Sequence, residues 1–515
     1  MSTRRNIVAN YIGQGVAAVV SLAVVPIYIR YLGIEAYGLV GLFATLQVWM
    51  TLLDLGMTPT LGREMARYTA GRASIQFIRD LLRSLEILVF GLAAIIAVAL
   101  YLASDWIARD WLDPGALGVG EVARALALVG VVIALRFCEG IYRSAIIGLQ
   151  QQVWLNVAGV TLALLRSGGA VALLTQLPTI DAFFIWQGVI SLVTLLAYAA
   201  KLHFGLPRAA RRPRFSLDAL RTVRGFAGGI FATTILAVLL TQVDKLLLSR
   251  LLSLADFGYY MIASTVTGGI LIIIGPVLQA VYPALVRLVA GGDDARLASN
   301  YHTASQVMTV LLGPAALTLI FFADGVILAW SGDAKLVVHT APILAALAVG
   351  TFLNALMQVP HHLQLAAGWT SLALYTNVVA VVLLVPALLW GVPRYGPVAA
   401  AVIWAVLNAG YVVTTIPIMH RRLLRGEQAR WYLADVALPL AAAALVFGAG
   451  SWLADQLVLD RLAWLVFLPV VAGLALVAAV LAASALRQRL FAAFAEVARR
   501  RRLSPSRLPP GAAPK

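Results

Sequence analysis

The chain has 515 residues, of which 61% are hydrophobic and 12% are charged, and its net charge at pH 7 is +16. A typical soluble domain carries about 25% charged residues, so this composition excludes an ordinary soluble fold and predicts an integral membrane protein, whose apolar helix faces lipid can solvate. The positive charge does not indicate nucleic-acid binding, because the basic residues lie in short clusters between apolar runs.

Apolar runs long enough to cross a bilayer recur along the whole chain. A membrane-spanning helix needs about 20 mostly apolar residues. Applied in chain order, this rule predicts an all-α polytopic membrane protein with about 14 transmembrane helices. The predicted spans cover residues 8–29, 37–59, 84–104, 122–147, 156–175, 181–201, 226–249, 257–285, 306–330, 339–364, 370–391, 396–419, 432–454 and 463–486.

The distribution of Lys and Arg predicts the orientation of these spans. Basic residues concentrate in alternate connecting segments, and cytoplasmic loops are the ones that carry such an excess. We therefore predict that both termini are cytoplasmic. The predicted domains are an N-terminal six-helix bundle (1–201), a basic cytoplasmic linker with an interfacial helix (202–225), a C-terminal six-helix bundle (226–420), helices 13 and 14 (421–486) and a basic cytoplasmic tail (487–515).

The two predicted bundles share an internal repeat. Residues 32–38 align without a gap on residues 252–258, with Arg30 on Arg250 and Arg67 on Arg287. Because each unit has an even number of helices, the copies are expected to insert in the same orientation, as parallel repeats. This organisation is typical of carriers that work by alternating access, although gene duplication by itself does not require transport.

Ionisable residues inside the spans are the candidate site, because a charge in the bilayer costs about 2.5–3.5 kcal/mol on insertion scales. Arg136, Glu139 and Arg143 follow one another at spacings of three and four in the span 122–147, which places them on one helix face. Arg166 lies at a similar depth in the next span. The pattern favours a cationic cavity for an anionic group, since arginine binds phosphate through two parallel hydrogen bonds. Internal pairing of Glu139 with a neighbouring arginine is the alternative.

Five further residues are weaker candidates. Asp54 and Asp244 are possible ion-coupling carboxylates, and Lys245 is a possible ligand of the anion; paired charges that hold helices together are the alternative for Asp244. Arg30 and Arg250 are included as cavity residues, although their positions near the membrane interface favour side chains that extend towards water.

Several absences argue against an enzyme. The chain has no G-x-x-x-x-G-K-[ST] motif, and its outside loops have no room for a catalytic domain. His361 and His362 are adjacent, but further metal ligands at suitable spacing are missing. We therefore expect no catalytic residues, no metal and no cofactor.

Three segments resemble polysaccharide biosynthesis flippases of the multidrug/oligosaccharidyl-lipid/polysaccharide exporter superfamily. The first extends from Asn10 to Gly33 and continues with Tyr37-Gly38 and Asp54-Leu55-Gly56. The second opens the second half of the chain and consists of Gln242-Val243-Asp244-Lys245 and Phe257-Gly258-Tyr259-Tyr260. The third extends from Tyr395 to Ala401. The resemblance covers about residues 6–420.

This resemblance implies two six-helix bundles around a polar cavity, and the transfer of an undecaprenyl-pyrophosphate-linked oligosaccharide from the cytoplasmic to the outer leaflet of a bacterial inner membrane. Arg136, Arg143 and Arg166 would then hold the pyrophosphate. Membrane lipids are implied partners, and a polysaccharide polymerase and glycosyltransferases are candidate ones. A lipid II-type flippase, a cation-coupled small-molecule exporter of the same superfamily and a non-transporting scaffold of a glycan-assembly complex remain alternatives.

Overall fold

A computed structural model describes residues 3–272, 274–489 and 491, and in this part of the chain the regular structure is entirely helical. The α-helices are α1 (Thr3–Leu32), α2 (Ile34–Met50), α3 (Met57–Thr69), α4 (Ile75–Trp106), α5 (Val119–Gly148), α6 (Gln152–Leu174), α7 (Ile180–Gly205), α8 (Leu217–Leu251), α9 (Leu254–Ile272), α10 (Ile274–Gly291), α11 (Asp294–Phe321), α12 (Ala323–Ser331), α13 (Ala334–Leu356), α14 (Gln358–Ala366), α15 (Ser371–Leu423), α16 (Gln428–Arg430), α17 (Leu438–Gln456) and α18 (Arg461–Ala482).

The predicted class, an all-α polytopic membrane protein, is confirmed. Within the described residues, 11 helical segments are long and apolar enough to cross a membrane, and Val19–Leu32 is a shorter apolar segment of α1. The longest helix, α15, has 53 residues and contains one non-helical residue, Gly396, with φ 66° and ψ −158°. This break separates the predicted spans 370–391 and 396–419. Every predicted span overlaps a helix of the structure.

The second predicted span, 37–59, ends earlier than expected. Helix α2 stops at Met50, a 3₁₀ turn covers Thr51–Asp54, and α3 begins as a separate helix. The break lies at Leu55 and Gly56, both of which have left-handed backbone angles. A Cβ on Gly56 would lie 2.4 Å from the carbonyl oxygen of Ala227, so only glycine fits this close approach.

The predicted linker 202–225 includes an extended segment and the start of a helix. Its helical part opens α8, which starts after the N-cap Ser216 and continues as one helix to Leu251. The preceding extended segment is fixed to the start of α4, where the buried Asp80 accepts hydrogen bonds from Arg211 Nη2 at 2.9 Å and from the backbone N–H of Arg214 at 3.0 Å. Of the predicted tail 487–515, only residues 487–489 and 491 are among the described residues.

The chain forms two compact units. The first comprises Met1–Val266 and Asn377–Ile403, and the second comprises Thr267–Thr376 and Trp404–Lys515. A core between α3, α4, α5 and α7 lies in the first unit and includes Leu61, Leu81 and Ile141. In the second unit, α11, α17 and α18 enclose another core around Phe447 and Ala475.

Two glycines that the repeat aligns make reciprocal contacts in the first unit. A Cβ on Gly38 of α2 would lie 2.3 Å from the carbonyl oxygen of Leu254, and a Cβ on Gly258 of α9 would lie 2.6 Å from that of Ile34. Leu254 and Ile34 are themselves equivalent in the repeat. Such exchange of equivalent contacts is what a twofold relation between two copies produces. The domain boundaries given above remain a prediction.

Candidate functional site

The arginine-bearing face of α5 consists of Arg136, Glu139 and Arg143 and lies opposite the residues that this helix contributes to the core of the first unit. Arg136, Glu139 and Arg143 occupy successive turns, and about 10 Å of helix separates the first from the last at 1.5 Å per residue. Arg136 and Glu139 are half-buried, whereas Arg143 is exposed. Cys138 and Ile141, which point to the other side, are buried in the core. The spacing therefore yields the shared face that the sequence predicts.

Arg136 is held by neutral oxygen atoms from two neighbouring helices. Its Nη1 donates to Gln47 Oε1 of α2 at 2.8 Å, its Nη2 to Gln187 Oε1 of α7 at 2.9 Å, and its Nε to Ser191 Oγ of α7 at 3.3 Å. The guanidinium also lies 4.8 Å from the ring centroid of Phe43, within the range of a cation–π contact. These contacts fix the plane of the guanidinium.

The arginines of this region form no ion pair with a described carboxylate. Within the described part of the chain, none of the ion pairs involves Arg136, Arg143 or Arg166. Glu139 lies within electrostatic reach of all three arginines without pairing with one of them. The internal pairing that the sequence left open is therefore absent from these residues. The face of α5 carries two arginines and one glutamate, and Arg166 of α6 adds a third arginine to the same region.

Arg166 of α6 adds a partly unsatisfied guanidinium to this region. Its Nη2 donates to Thr194 Oγ1 of α7 at 3.4 Å, while its buried Nε–H has no hydrogen-bond partner in the described structure. The positive charges of Arg166 and Arg136 repel each other, and both attract the carboxylate of Glu139. A buried donor without an acceptor costs about 1–3 kcal/mol, so a ligand or water oxygen that accepted from Nε would be stabilised here.

The two candidate ion-coupling carboxylates differ in their surroundings. Asp54 caps the start of α3, because its carboxylate accepts from the backbone N–H of Thr58 at 3.0 Å and from its hydroxyl at 2.6 Å. Asp244 accepts from Tyr260 Oη at 3.3 Å, and its other oxygen, Oδ1, is buried with no partner among the described residues. The contacts of Asp54 explain a structural role, whereas Asp244 retains an unused acceptor.

The other candidate cations are peripheral or isolated. Lys245 is half-buried and neighbours Asp244 in sequence, and the described part of the chain provides no direct hydrogen bond to its side chain. Arg250 is exposed, and its Nη1 donates to the carbonyl of Trp111 at 3.4 Å. Arg30 is also exposed. Among the described residues, no hydrogen bond or ion pair links these three residues to the arginines of α5 and α6.

The sequence did not predict the polar side chains that accept hydrogen bonds from Arg136 and Arg166. Gln187, Ser191 and Thr194 follow one another at spacings of four and three on α7, and each is buried. Polar residues at helical spacing inside an apolar span were the pattern that could have revealed them. Gln47 stands alone in α2, so nothing in the sequence distinguished it.

Comparison with known families identifies the chain. A model described as polysaccharide biosynthesis protein matches residues 3–289, which is more than half of the sequence. The chain belongs to this polysaccharide biosynthesis protein family. A Shigella flexneri protein that is named as an O-antigen transporter is 21% identical over 417 residues, which are 79% of this chain and 95% of that relative.

Solved structures share the fold of this polysaccharide biosynthesis family member. The lipid II flippase MurJ in an inward closed conformation has a TM-score of 0.67 at 13% identity, over 95% of this chain and 100% of that one. An inward-facing MATE multidrug resistance transporter of the MOP superfamily has a TM-score of 0.62 at 14% identity, over 79% and 94%. A MOP transporter from Pyrococcus furiosus, described as having a binding pocket of reverse polarity, has a TM-score of 0.54 at 16% identity, over 82% and 95%.

A second buried polar cluster of this family member lies in the second unit. His302 of α11 lies between two carboxylates, with Nδ1 hydrogen-bonded to Asp435 and Nε2 at 2.9 Å from Glu427. Gln306 donates to Asp435 at 2.9 Å and accepts from the backbone N–H of Ala485 at 2.9 Å. The cluster therefore connects α11 to the segment that precedes α17 and to the segment that follows α18.

Proposed function

We propose that this protein transfers a lipid-linked oligosaccharide, carried on undecaprenyl pyrophosphate, from the cytoplasmic to the outer leaflet of a bacterial inner membrane by alternating access. Membership of a polysaccharide biosynthesis family supports this function, as do a relative named as an O-antigen transporter and a fold shared with a lipid II flippase. The substrate, the direction of transfer and the cytoplasmic location of both termini are parts of the proposal.

The observation that carries the proposal is the uncompensated charge of Arg136. A guanidinium has five N–H donors, and neutral oxygens occupy three of those of Arg136. One N–H remains on each of Nη1 and Nη2. These two N–H groups are the donors of Arg136 that remain for the oxygens of a phosphate. The surrounding glutamines fix the position of the guanidinium without cancelling its charge.

The sign of the charge argues against a cation-coupled exporter of cationic drugs. Binding of an organic cation favours carboxylates, whereas Arg136, Arg143 and Arg166 outnumber Glu139 on the proposed binding face. The Nε–H of Arg166 supplies a further donor that an anion can use. We infer that the pyrophosphate group contacts Arg136 and Arg166, while Arg143, which is exposed, attracts it to this region.

Reconstitution tests this function directly. Proteoliposomes would carry fluorescent undecaprenyl-pyrophosphate oligosaccharide in one leaflet, and chemical quenching of the other leaflet would measure its transfer. We expect transfer by the wild-type protein and loss of at least about tenfold in Arg136→Ala, because one lost charge-assisted contact is worth about 1.5–3 kcal/mol. Arg136→Lys should recover only part of the rate, since an ammonium lacks the planar fork.

The matched control is Arg208→Ala, an exposed arginine of the extended linker. It should keep the wild-type rate. Equal reconstitution of all variants would be verified by protein content and circular dichroism. Wild-type transfer by Arg136→Ala would refute the role of the cationic face. Transfer of ethidium in place of the labelled lipid would instead establish the drug-exporter alternative.

A further inference from the structure

A cavity of about 690 Å³ lies beside the segment that connects α15 to α16, in the second unit. This connection is a predicted cytoplasmic segment. The residues that line the cavity and could contact a ligand are His420, Arg421, Arg425, Gln428, Tyr432 and Leu433. The arginine-bearing face of α5 belongs to the other unit, so the cavity is a separate site.

The arginines of this connection fall into two groups. Arg422 lies with its guanidinium carbon 4.3 Å from the ring centroid of Trp369, and Arg430 pairs with Glu427 at 3.6 Å. Arg421 and Arg425, which line the cavity, form no ion pair with any described carboxylate. Among the described residues, Arg425 donates only its Nε–H, to the carbonyl of Arg421 at 3.2 Å, which leaves both Nη groups available. Arg421 and Arg425 therefore place two guanidinium groups at the cavity that have neither a carboxylate nor an aromatic partner in the described part of the chain.

The wall of the cavity is held by buried contacts. Glu427 binds His302 at 2.9 Å, and the fully buried Trp431 donates Nε1–H to Ser305 Oγ at 3.2 Å. Tyr432, which lines the cavity, donates its hydroxyl to the carbonyl of Val412 at 2.7 Å. A ligand that enters would not have to order this wall, and such preorganisation favours binding.

The cavity also has an apolar edge. Leu433 is 62% exposed, in a segment that continues into a membrane helix, so this edge is accessible to lipid. His420 is buried, and its Nε2 has no hydrogen-bond partner among the described residues. Unpaired arginines beside an exposed apolar side chain match an amphiphile with an anionic head. The head contacts the arginines, and the acyl chains contact the apolar edge.

We propose that this cavity binds the phosphate headgroup of an anionic phospholipid from the cytoplasmic leaflet. Arg421 and Arg425 contact the phosphate, while Leu433 contacts the acyl chains. Basic pockets between membrane helices on the cytoplasmic side bind lipid headgroups in this way. The site involves none of the arginines of α5 and α6 and so does not depend on the proposed transport, whereas its place in the cytoplasmic leaflet rests on the orientation given under the proposed function.

Native mass spectrometry of the purified full chain tests this site with dioleoyl phosphatidylglycerol as the probe and dioleoyl phosphatidylcholine as the neutral reference. We expect selective retention of phosphatidylglycerol by the wild type. The variant Arg421→Gln/Arg425→Gln should bind it about thirtyfold more weakly, from the usual contribution of two basic residues near a lipid surface. The matched control, Arg208→Gln/Arg212→Gln, loses the same charge at exposed linker positions and should bind normally.

Two further results decide the source of the phosphate. Millimolar inorganic phosphate should not displace the lipid, because it lacks the acyl chains that contact Leu433. Equal affinity of the wild type and the Arg421/Arg425 variant would overturn the proposal, as would equal loss in the control variant or displacement by inorganic phosphate. A wild-type circular dichroism spectrum of the variant would establish that it is folded, and Arg421→Lys/Arg425→Lys should retain most of the affinity.

Discussion

Replacing Gln187 with leucine removes the acceptor to which Arg136 donates its Nη2–H at 2.9 Å. Gln187 is only 5% exposed, so water does not replace the lost oxygen. A hydrogen bond to a charged group contributes about 1.5–3 kcal/mol, and we expect Gln187→Leu to lower the free energy of unfolding by about that amount. Transfer of the labelled lipid should fall as well, because the guanidinium loses one of the contacts that set its orientation.

A double-mutant cycle isolates this bond from other effects. Arg136→Met loses the same bond but also removes a charge from the membrane, a change that stabilises by about 2.5–3.5 kcal/mol on insertion scales. These opposing terms cancel in the cycle. We expect Gln187→Leu to cost about 1.5–3 kcal/mol less in the Arg136→Met background than in the wild type.

Titration with sodium dodecyl sulfate in mixed micelles, followed by circular dichroism, would measure the free energies of unfolding. Gln176→Leu is the matched control, since Gln176 is exposed between α6 and α7 and should add to Arg136→Met without coupling. Additive effects of Gln187→Leu and Arg136→Met, within about 0.5 kcal/mol, would refute the argument that neutral oxygens hold an uncompensated arginine.

Three other predictions test the framework around the site. Gly38→Ala and Gly258→Ala should each lower the yield of folded protein, because the new Cβ would lie 2.3 or 2.6 Å from a backbone oxygen. Size-exclusion chromatography would measure this yield, and the control Gly188→Ala, whose Cβ would lie 3.7 Å from the nearest atom, should leave it unchanged. His302→Ala should destabilise by about 1–3 kcal/mol because it removes one of the two side-chain hydrogen-bond partners of the buried Asp435 and leaves only Gln306, and an equally stable variant in detergent unfolding would contradict this. Asp80→Ala should accelerate tryptic cleavage at Arg211 and Arg214 in inside-out vesicles, since it releases the segment that Asp80 anchors; unchanged cleavage would show that other contacts hold this segment.

The sequence alone determined the features that depend on composition and on local periodicity. Apolar runs predicted membrane spans, and each of these spans overlaps a helix of the structure. Lipid offers no hydrogen bonds, so a membrane-spanning segment has to satisfy its backbone polar groups internally, as a helix does. The common face of Arg136, Glu139 and Arg143 also followed from sequence, since residues three and four apart meet on one side of any α-helix. The sequence showed the repeat that aligns Gly38 with Gly258. It did not show that α2 and α9 approach each other closely at these two glycines.

Only the tertiary structure decided what surrounds these charges. Arg136 is separated by 51 to 89 residues from the oxygens of Gln187, Ser191 and Gln47, and no local rule brings such distant positions together. The role of Asp54 as a helix cap depended on the break at Leu55 and Gly56, which shortened the predicted second span. Helical periodicity fixes which side chains share a face of one helix, whereas packing between segments far apart in the chain decides which helices are neighbours. That packing left Arg136, Arg143 and Arg166 without an ion-pair partner among the described carboxylates.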